Sequence, residues 1–259
     1  MPSISETGEQ GRFEREKFEN ELKTILNACK NENVLIRVLG SMAFHIHCHT
    51  YEYLQTTKGR VYSNIDVGSY SVHGRHIRDI MTKLGYTENR EVFVLSGAEH
   101  AVFYKQDLRV DVYYEKLDFC HTINLRDRLE YDSPTIPLAE LLLQKMQNIS
   151  IDEKDLIDTI MLLLEHPLGE IDGEIINIKL IAHLCANEWG LWRTTTINLR
   201  KVIQFAESYT ELTPEQKHKV ESQVNELISR LNSEPKSLPW KVRDQMGDRV
   251  KWYKDVEES

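Results

Sequence analysis

The chain changes pattern at about residue 132, and its two sides together describe an α+β protein. A mixed-sheet domain with helices over residues 12–132 is followed by an all-helical domain over 133–259 that ends in an aromatic C-terminal tail. Three observations carry this. The first side runs strand, turn, helix, strand, helix, with β-branched stretches at 34–39 and 61–67. Three short β-rich segments then follow at 91–95, 101–104 and 108–114. After Asp132-Ser133-Pro134 such stretches give way to leucine at helical spacing.

Residues 1–11 are mostly polar, with little to pack, and are expected to fray. Phe13, Phe18, Leu22, Ile25 and Leu26 then recur every one to five positions between charges, which predicts an amphipathic helix to about Lys30. Asn31-Glu32-Asn33 ends it. The run at 34–39 stops at Gly40-Ser41, as a buried strand entering a tight turn would. A helix over 42–54, a strand over 61–67 with Arg60 at its start, and a helix over 73–84 closed by Gly85 come next. The segments at 91–95, 101–104 and 108–114, parted by Ser96-Gly97 and Gln106-Asp107, predict an antiparallel meander.

In the second part, residues 138–147 and 156–165 are predicted helices. The latter is opened by Ser150-Ile151-Asp152-Glu153, the spacing in which a Ser hydroxyl and a Glu carboxylate satisfy free backbone N–H groups. Helices are expected at 175–187 and 196–208. Thr213-Pro214-Glu215-Gln216 starts another that runs to about Leu231, with Pro at its first position. In the tail, Trp240, Trp252 and Tyr253 alternate with Lys236, Lys241, Arg243, Arg249, Lys251 and Lys254, as in a base-stacking segment. Glu234, Asp244, Asp248, Asp255, Glu257 and Glu258 cancel those charges, so the aromatics are expected to pack on the helical half.

Composition narrows the functional classes. The longest apolar runs, 160–164 and 141–143, fall far short of the roughly 20 residues of a membrane span, and the polar start does not read as a signal peptide. Thirty-two Lys and Arg against 41 Asp and Glu leave a net charge of −9, which disfavours a non-specific nucleic-acid coat. Cys29, Cys48, Cys120 and Cys185 are scattered without a C-x-x-C pair, the usage of a reducing compartment. The expectation is a soluble cytoplasmic protein with no membrane association.

Chemistry concentrates at Gly40-Ser41, at Asn64-Ile65-Asp66, and at Asp111 within Arg109-Val110-Asp111-Val112. Residues i and i+2 of a strand share a face, so Asn64 and Asp66 project together, and Asp111 can join them from a neighbouring strand. Carboxylates gathered this way hold magnesium against a triphosphate, while a Gly-Ser turn at a helix start offers N–H groups to phosphate. The competing reading is a set of ordinary acids at strand ends. Among the histidines, His45 and His49 stand one helical turn apart and can chelate zinc, but no third ligand stands at a telling distance, and packing explains them as well. His47 lies between them in the same histidine-rich segment, whereas His73, His76, His100 and His121 form no interpretable spacing. The charges at 152–158, with Lys154, Asp155 and Asp158, read as a solvated helix face.

The order Gly40-Ser41, Arg60, Asn64-x-Asp66, Gly85-Tyr86 and Asp111 resembles the nucleotidyltransferase superfamily with the DNA polymerase β-type catalytic fold. Downstream, Leu141-Leu142-Leu143-Gln144-Lys145-Met146 and Glu153-Lys154-Asp155-Leu156-Ile157-Asp158 are similar to the helical half of the branch that includes toxins of abortive-infection type IV toxin–antitoxin systems. The likeness covers about residues 20–165. It implies a nucleotidyltransferase-like sheet domain that moves a nucleotidyl group from a nucleoside triphosphate to the hydroxyl of an acceptor, whether RNA, protein or small molecule. It further implies Mg2+ or Mn2+ as cofactor and an antitoxin-like protein partner.

By the same resemblance Asp66 and Asp111 are the catalytic, metal-holding acids, and Asp111 also assists deprotonation of the acceptor. Gly40 and Ser41 bind the nucleotide phosphates, and Lys145 reaches a phosphate. Asn64 stands where the family has its first Asp, so it is at most an uncharged auxiliary metal ligand. Two alternatives follow from that substitution and from the helical half: a weak or inactive member of the fold that binds nucleotide or a protein partner, and an interaction protein whose helices do the work.

Overall fold

The computed structural model describes residues 4–56 and 62–255, the side chains of 4–14 and of Thr56 excepted. Arg60, Glu257 and Glu258 lie outside the described residues. The chain forms two compact units: one drawn from 1–46, 55–117 and 124–136, the other from 47–54, 118–123 and 137–259. The last crossing thus lies near the expected boundary at 132, but two short stretches of the first half belong to the second unit.

The first unit opens with helix α1 (Ile4–Asn31). It begins well before the expected start, because a helix nucleated along its packed part adds further residues at little cost. Phe18, Leu22, Ile25 and Cys29 are buried along one stripe. Asn33, with a left-handed φ of 57°, then turns the chain, and Val34 N–H donates to the Cys29 carbonyl at 2.9 Å.

Strand β1 (Ile36–Leu39) leads directly into α2 (Gly40–His47). The helix expected to run to residue 54 is broken in two, with α3 at Tyr53–Thr56. Between them Glu165 captures the Thr50 backbone N–H at 3.1 Å and its hydroxyl at 2.6 Å, which fixes a turn there. The chain continues through β2 (Ile65–Ser69), α4 (Gly74–Lys83), β3 (Thr87–Glu88), α5 (Arg90–Leu95), β4 (His100–Lys105) and β5 (Leu108–Tyr114).

Five strands make a mixed sheet in the order β1-β2-β5-β4-β3. β1 runs antiparallel to β2, β2 parallel to β5, and β4 antiparallel to both β5 and β3. The free edge of β1 is covered by residues 134–136, since Val38 N–H donates to the Pro134 carbonyl and Ile136 N–H to the Val38 carbonyl. Val38, Leu39, Ile65, Val67, Val110 and Val112 are all buried.

The expected strand at 91–95 is a helix instead. Asn89 Oδ1 accepts from the backbone N–H of Glu91 and Val92, a cap that commits the next turn to helix. None of the α5 residues is buried, so its Val-Phe-Val run has no sheet face to fill. Two short strands, β6 (Lys116–Asp118) and β7 (Thr122–Asn124), mark the excursion of 118–123 into the second unit.

The second unit is mainly helical: α6 (Leu138–Met146), α7 (Glu153–Glu165), α8 (Ile178–Asn187), α9 (Trp189–Ser208), α10 (Pro214–Ser233) and α11 (Leu238–Met246). A short parallel pair, β8 (Leu168–Gly169) and β9 (Ile176–Asn177), precedes α8. Asp152, not Ser150, caps α7, accepting from Asp155 N–H at 2.8 Å. α9 starts seven residues before the expected 196, because Glu188 accepts from the N–H groups of Gly190 and Leu191. Thr213 and Gln216 form the reciprocal capping box of α10, with Pro214 at its first position.

The tail aromatics pack within this unit. Trp189, Trp192, Trp240 and Trp252 form a chain of ring contacts, and Trp252 Nε1 donates to Thr194 Oγ1 at 3.0 Å. Among the described residues, no helix is long and apolar enough to cross a membrane.

Candidate functional site

The site is built where β1, β2 and β5 lie side by side. Antiparallel pairing sets Leu39 opposite Asp66, so the next residue, Gly40, comes against the Asp66 carboxylate. Gly40 has a φ of +64°, and a Cβ placed there would stand 2.3 Å from Asp66 Oδ2. Both facts demand glycine: the backbone is left-handed, and no side-chain atom fits between the turn and the acid. Ser41 follows in the first turn of α2 and is half-buried.

Asp66 is the register partner of Asp111 across the parallel pair β2–β5, which sets the two carboxylates on one sheet face. Asn64, just before β2, joins them. Its Nδ2 donates to Asp66 Oδ1 at 2.7 Å and to Asp111 Oδ2 at 3.2 Å, while its Oδ1 accepts from Ser63 Oγ at 3.0 Å. Gly40, Asn64, Asp66 and Asp111 are therefore brought together in the first unit, with Ser41 beside them in sequence.

Two further residues complete the arrangement. Arg109 places a fork on Asp111, Nε to Oδ2 at 2.8 Å and Nη2 to Oδ1 at 2.9 Å. His100 Nε2 lies 2.9 Å from Asp111 Oδ1, and its ring stacks on Tyr113 at 4.5 Å between centroids. Asp111 is wholly buried, while Asn64, Asp66, His100 and Arg109 are half-buried. Burial pushes the Asp111 carboxyl up, but hydrogen bonds from His100, Arg109 and Asn64 together with the Arg109 charge outweigh it and hold the group below the ordinary carboxylate value. The Arg109 guanidinium is raised by the same hydrogen bond. Burial, then Asp66 and Asp111, push the Tyr113 phenol well up, so it stays protonated.

Both partners of Asp111 leave a trace in the sequence. Arg109 stands two residues before it on a strand and so shares its face. His100 follows from the hairpin: with a two-residue connection at Gln106-Asp107, Lys105 faces Leu108 and the register carries His100 opposite Tyr113, diagonal to Asp111.

Paired carboxylates are the oxygen donors magnesium prefers, and in that respect Asp66 and Asp111 suit it. Asn64 and Arg109 now hold three of their four oxygens between them. An amide can turn end over end, which would bring Asn64 Oδ1 to the carboxylate side once a cation replaces the need for a donor.

Lys145 belongs to the second unit. Its Nζ lies 2.7 Å from Asp155 Oδ1 and 3.0 Å from Asp158 Oδ2, and its side chain is largely buried. The expected solvated face at 152–158 holds for the exposed Asp152, Glu153 and Lys154 but not for Asp155 and the wholly buried Asp158, which form a packed ion-pair cluster with Lys145. His45 and His49 do not converge as a zinc pair: His45 Nε2 meets Glu19 Oε1 at 3.1 Å, and His49 is exposed. His121 is a satisfied core histidine, 2.8 Å from Thr194 Oγ1 and 3.3 Å from Glu188 Oε2.

Comparison of the chain with family models, with curated proteins and with solved structures finds no match.

Proposed function

We propose that the site at Gly40, Ser41, Asp66 and Asp111 binds a nucleoside triphosphate with magnesium or manganese and transfers its nucleotidyl group to an acceptor hydroxyl. The observation that carries this reading is the Asp66–Asp111 pair, in register on parallel strands beside a glycine turn that opens a helix. It accords with the resemblance of these motifs to polymerase β-type nucleotidyltransferases. When bound by Asp66 and Asp111, the metal supplies charge neutralisation at the phosphates and a lowered pKa at the attacking hydroxyl.

The residues of the chain do the rest by position. Backbone N–H groups at Gly40 and Ser41 face phosphate at the positive end of α2. Asp111 stays ionised at neutral pH and is the acceptor for a hydrogen bond from the incoming hydroxyl. Arg109 and His100 act as positioning residues that fix the plane of its carboxylate. The resemblance also assigns Lys145 to the nucleotide; because Asp155 and Asp158 hold that ammonium, the phosphate contacts here rest on Gly40 and Ser41.

One observation favours a second reading, nucleotide binding without turnover. The Asn64 amide and the Arg109 fork both occupy Asp111, and a neutral Asn removes one of the charges that two dications would need. The acceptor class and an antitoxin-like partner rest on the resemblance alone.

A single experiment separates these. The protein is incubated with each α-phosphate-labelled triphosphate, Mg2+ or Mn2+, and a crude RNA and small-molecule extract, alongside Asp66→Asn and Asp111→Asn variants. Label transfer lost in both variants supports the enzyme. Metal-dependent triphosphate binding in calorimetry without transfer supports the second reading, and no binding at all removes both.

A further inference from the structure

We propose that His47, His166 and Glu174 form a binding site for a transition-metal dication of the zinc class. All three belong to the second unit, whereas the carboxylate site belongs to the first, and this set is distinct from the His45/His49 pair. His47 is the last residue of α2, His166 follows the end of α7, and Glu174 sits in the connection between β8 and β9. Parallel pairing of Leu168 with Ile176 and of Gly169 with Asn177 folds that connection back toward His166. Gly173, at a φ of +117°, makes the bend just before Glu174.

One ligand atom from each residue lies within 4.8 Å of the other two. His166 Nδ1 stands 3.3 Å from Glu174 Oε2, and His47 Nδ1 stands 3.7 Å from the same oxygen. A tetrahedral zinc ion with bonds of about 2.0–2.2 Å spaces its ligand atoms about 3.3–3.6 Å apart, so little movement is needed to close on one. The two imidazole side chains are each only 6% exposed, whereas Glu174 is 73% exposed and leaves the ion a way in.

The hydrogen bonding of His166 is the second, independent pointer. Its Nε2 lies 3.2 Å from the His47 carbonyl, and its Nδ1 lies 3.3 Å from the Glu174 carbonyl as well as from that residue's carboxylate. Every one of these neighbours is an acceptor. A neutral imidazole has one N–H, so one ring nitrogen then points a lone pair at acceptors unless a proton or a metal ion stands between them. With the proton on Nε2 and donated to the His47 carbonyl, Nδ1 is bare and aimed at Glu174. Such a hydrogen bond on the far nitrogen is how metal-bound histidines are usually oriented. Two nitrogens and one carboxylate select zinc, cobalt or nickel over magnesium or calcium, and three protein ligands leave a fourth position to water.

The test uses the full-length chain without a histidine tag, stripped by chelator and titrated with Zn2+ in calorimetry and with Co2+ by visible absorption. One tight equivalent is expected to bind at this cluster, with the ligand-field bands of tetrahedral Co2+, separate from any weaker binding at Asp66 and Asp111. Glu174→Gln, at an exposed position that leaves the buried rings in place, is expected to weaken binding at least about tenfold. His47→Gln should do the same. Asp66→Asn and Asp111→Asn should leave it unchanged. No stoichiometric binding, or equal affinity in wild type and Glu174→Gln, overturns the proposal. Loss in the Asp66 or Asp111 variants instead moves the ion to the other site and also overturns it.

Discussion

At Gly40 a single methyl group has two consequences. Gly40→Ala must hold a left-handed φ of +64° and put a carbon 2.3 Å from Asp66 Oδ2, so either the turn or the acid moves. Backbone strain of this kind costs about 1–3 kcal/mol. Chemical denaturation should show a loss in that range, and triphosphate binding should fall further because Asp66 is displaced; stability equal to wild type would show that the turn adapts. Asn64→Asp tests the charge of the site. It replaces the N–H donor shared by Asp66 and Asp111 with a third carboxylate, so the variant should melt below wild type without divalent ions and gain more from added magnesium. Equal magnesium-induced shifts in the two proteins would count against a metal between these acids. Asp111 sets an acid limit. Its folded pKa lies below the ordinary 3.8, so its contribution is complete above that value and is lost as the pH falls through the lower, folded one. Asp111→Asn should flatten the acid limb of stability against pH below about 4 while leaving the slope near neutrality unchanged.

Helix α5 turns on its cap. With no buried residue, and with Val94 and Leu95 mostly exposed, it draws little from packing, so the two backbone N–H groups accepted by Asn89 carry much of its stability. Asn89→Ala should cost about 1 kcal/mol. Hydrogen exchange should show the loss confined to the turn at 90–95, and unchanged protection there would mean the helix stands without the cap. The same element shows where sequence reading reaches its limit. Asn89 with Glu91 in the first turn is a start signal, but the Val92-Phe93-Val94 run outvotes it on β-propensity, because propensity does not say whether a sheet edge is present to receive the run. Strands β1, β4 and β5 were legible because their apolar runs are buried on the sheet, whereas β2 runs Ile65–Ser69 and not over the expected 61–67, of which Val61 lies outside the described residues. The Asp66–Asp111 partnership was legible from spacing as far as a shared face. What was missing was register: His100 reaches Asp111 only once the β4–β5 hairpin is fixed, and His47 reaches His166 across 119 residues of sequence, which no local period records.

A boundary drawn from composition separates residues that change character together, whereas a compact unit gathers whatever packs together. The second unit therefore holds 47–54 and 118–123 as well as the helices after 136. Within it Cys48, Leu54, Cys120 and His121 are buried, Tyr209 Oη donates to the Leu54 carbonyl at 3.5 Å, and Lys254 N–H donates to the Cys120 carbonyl at 3.0 Å. His121 N–H donates to Gln147 Oε1, and Thr50 holds Glu165. A fragment of residues 133–259, the helical domain as composition alone delimits it, keeps Gln147, Glu165, Tyr209 and Lys254 but lacks Thr50, Leu54, Cys120 and His121, which they hold. Their removal leaves buried donors and acceptors unmatched and apolar surface uncovered. Such a fragment should keep much of its helix by far-ultraviolet circular dichroism, because capping and leucine spacing are local. It should nonetheless bind a hydrophobic dye and melt without a sharp transition, as a helical core that has lost its specific packing does. The full-length chain is the control, and the same helices there should melt cooperatively. A fragment that melts as sharply as the full-length protein, and at the same temperature, would show that the two inserted stretches are dispensable and that the boundary at 132 is the physical one.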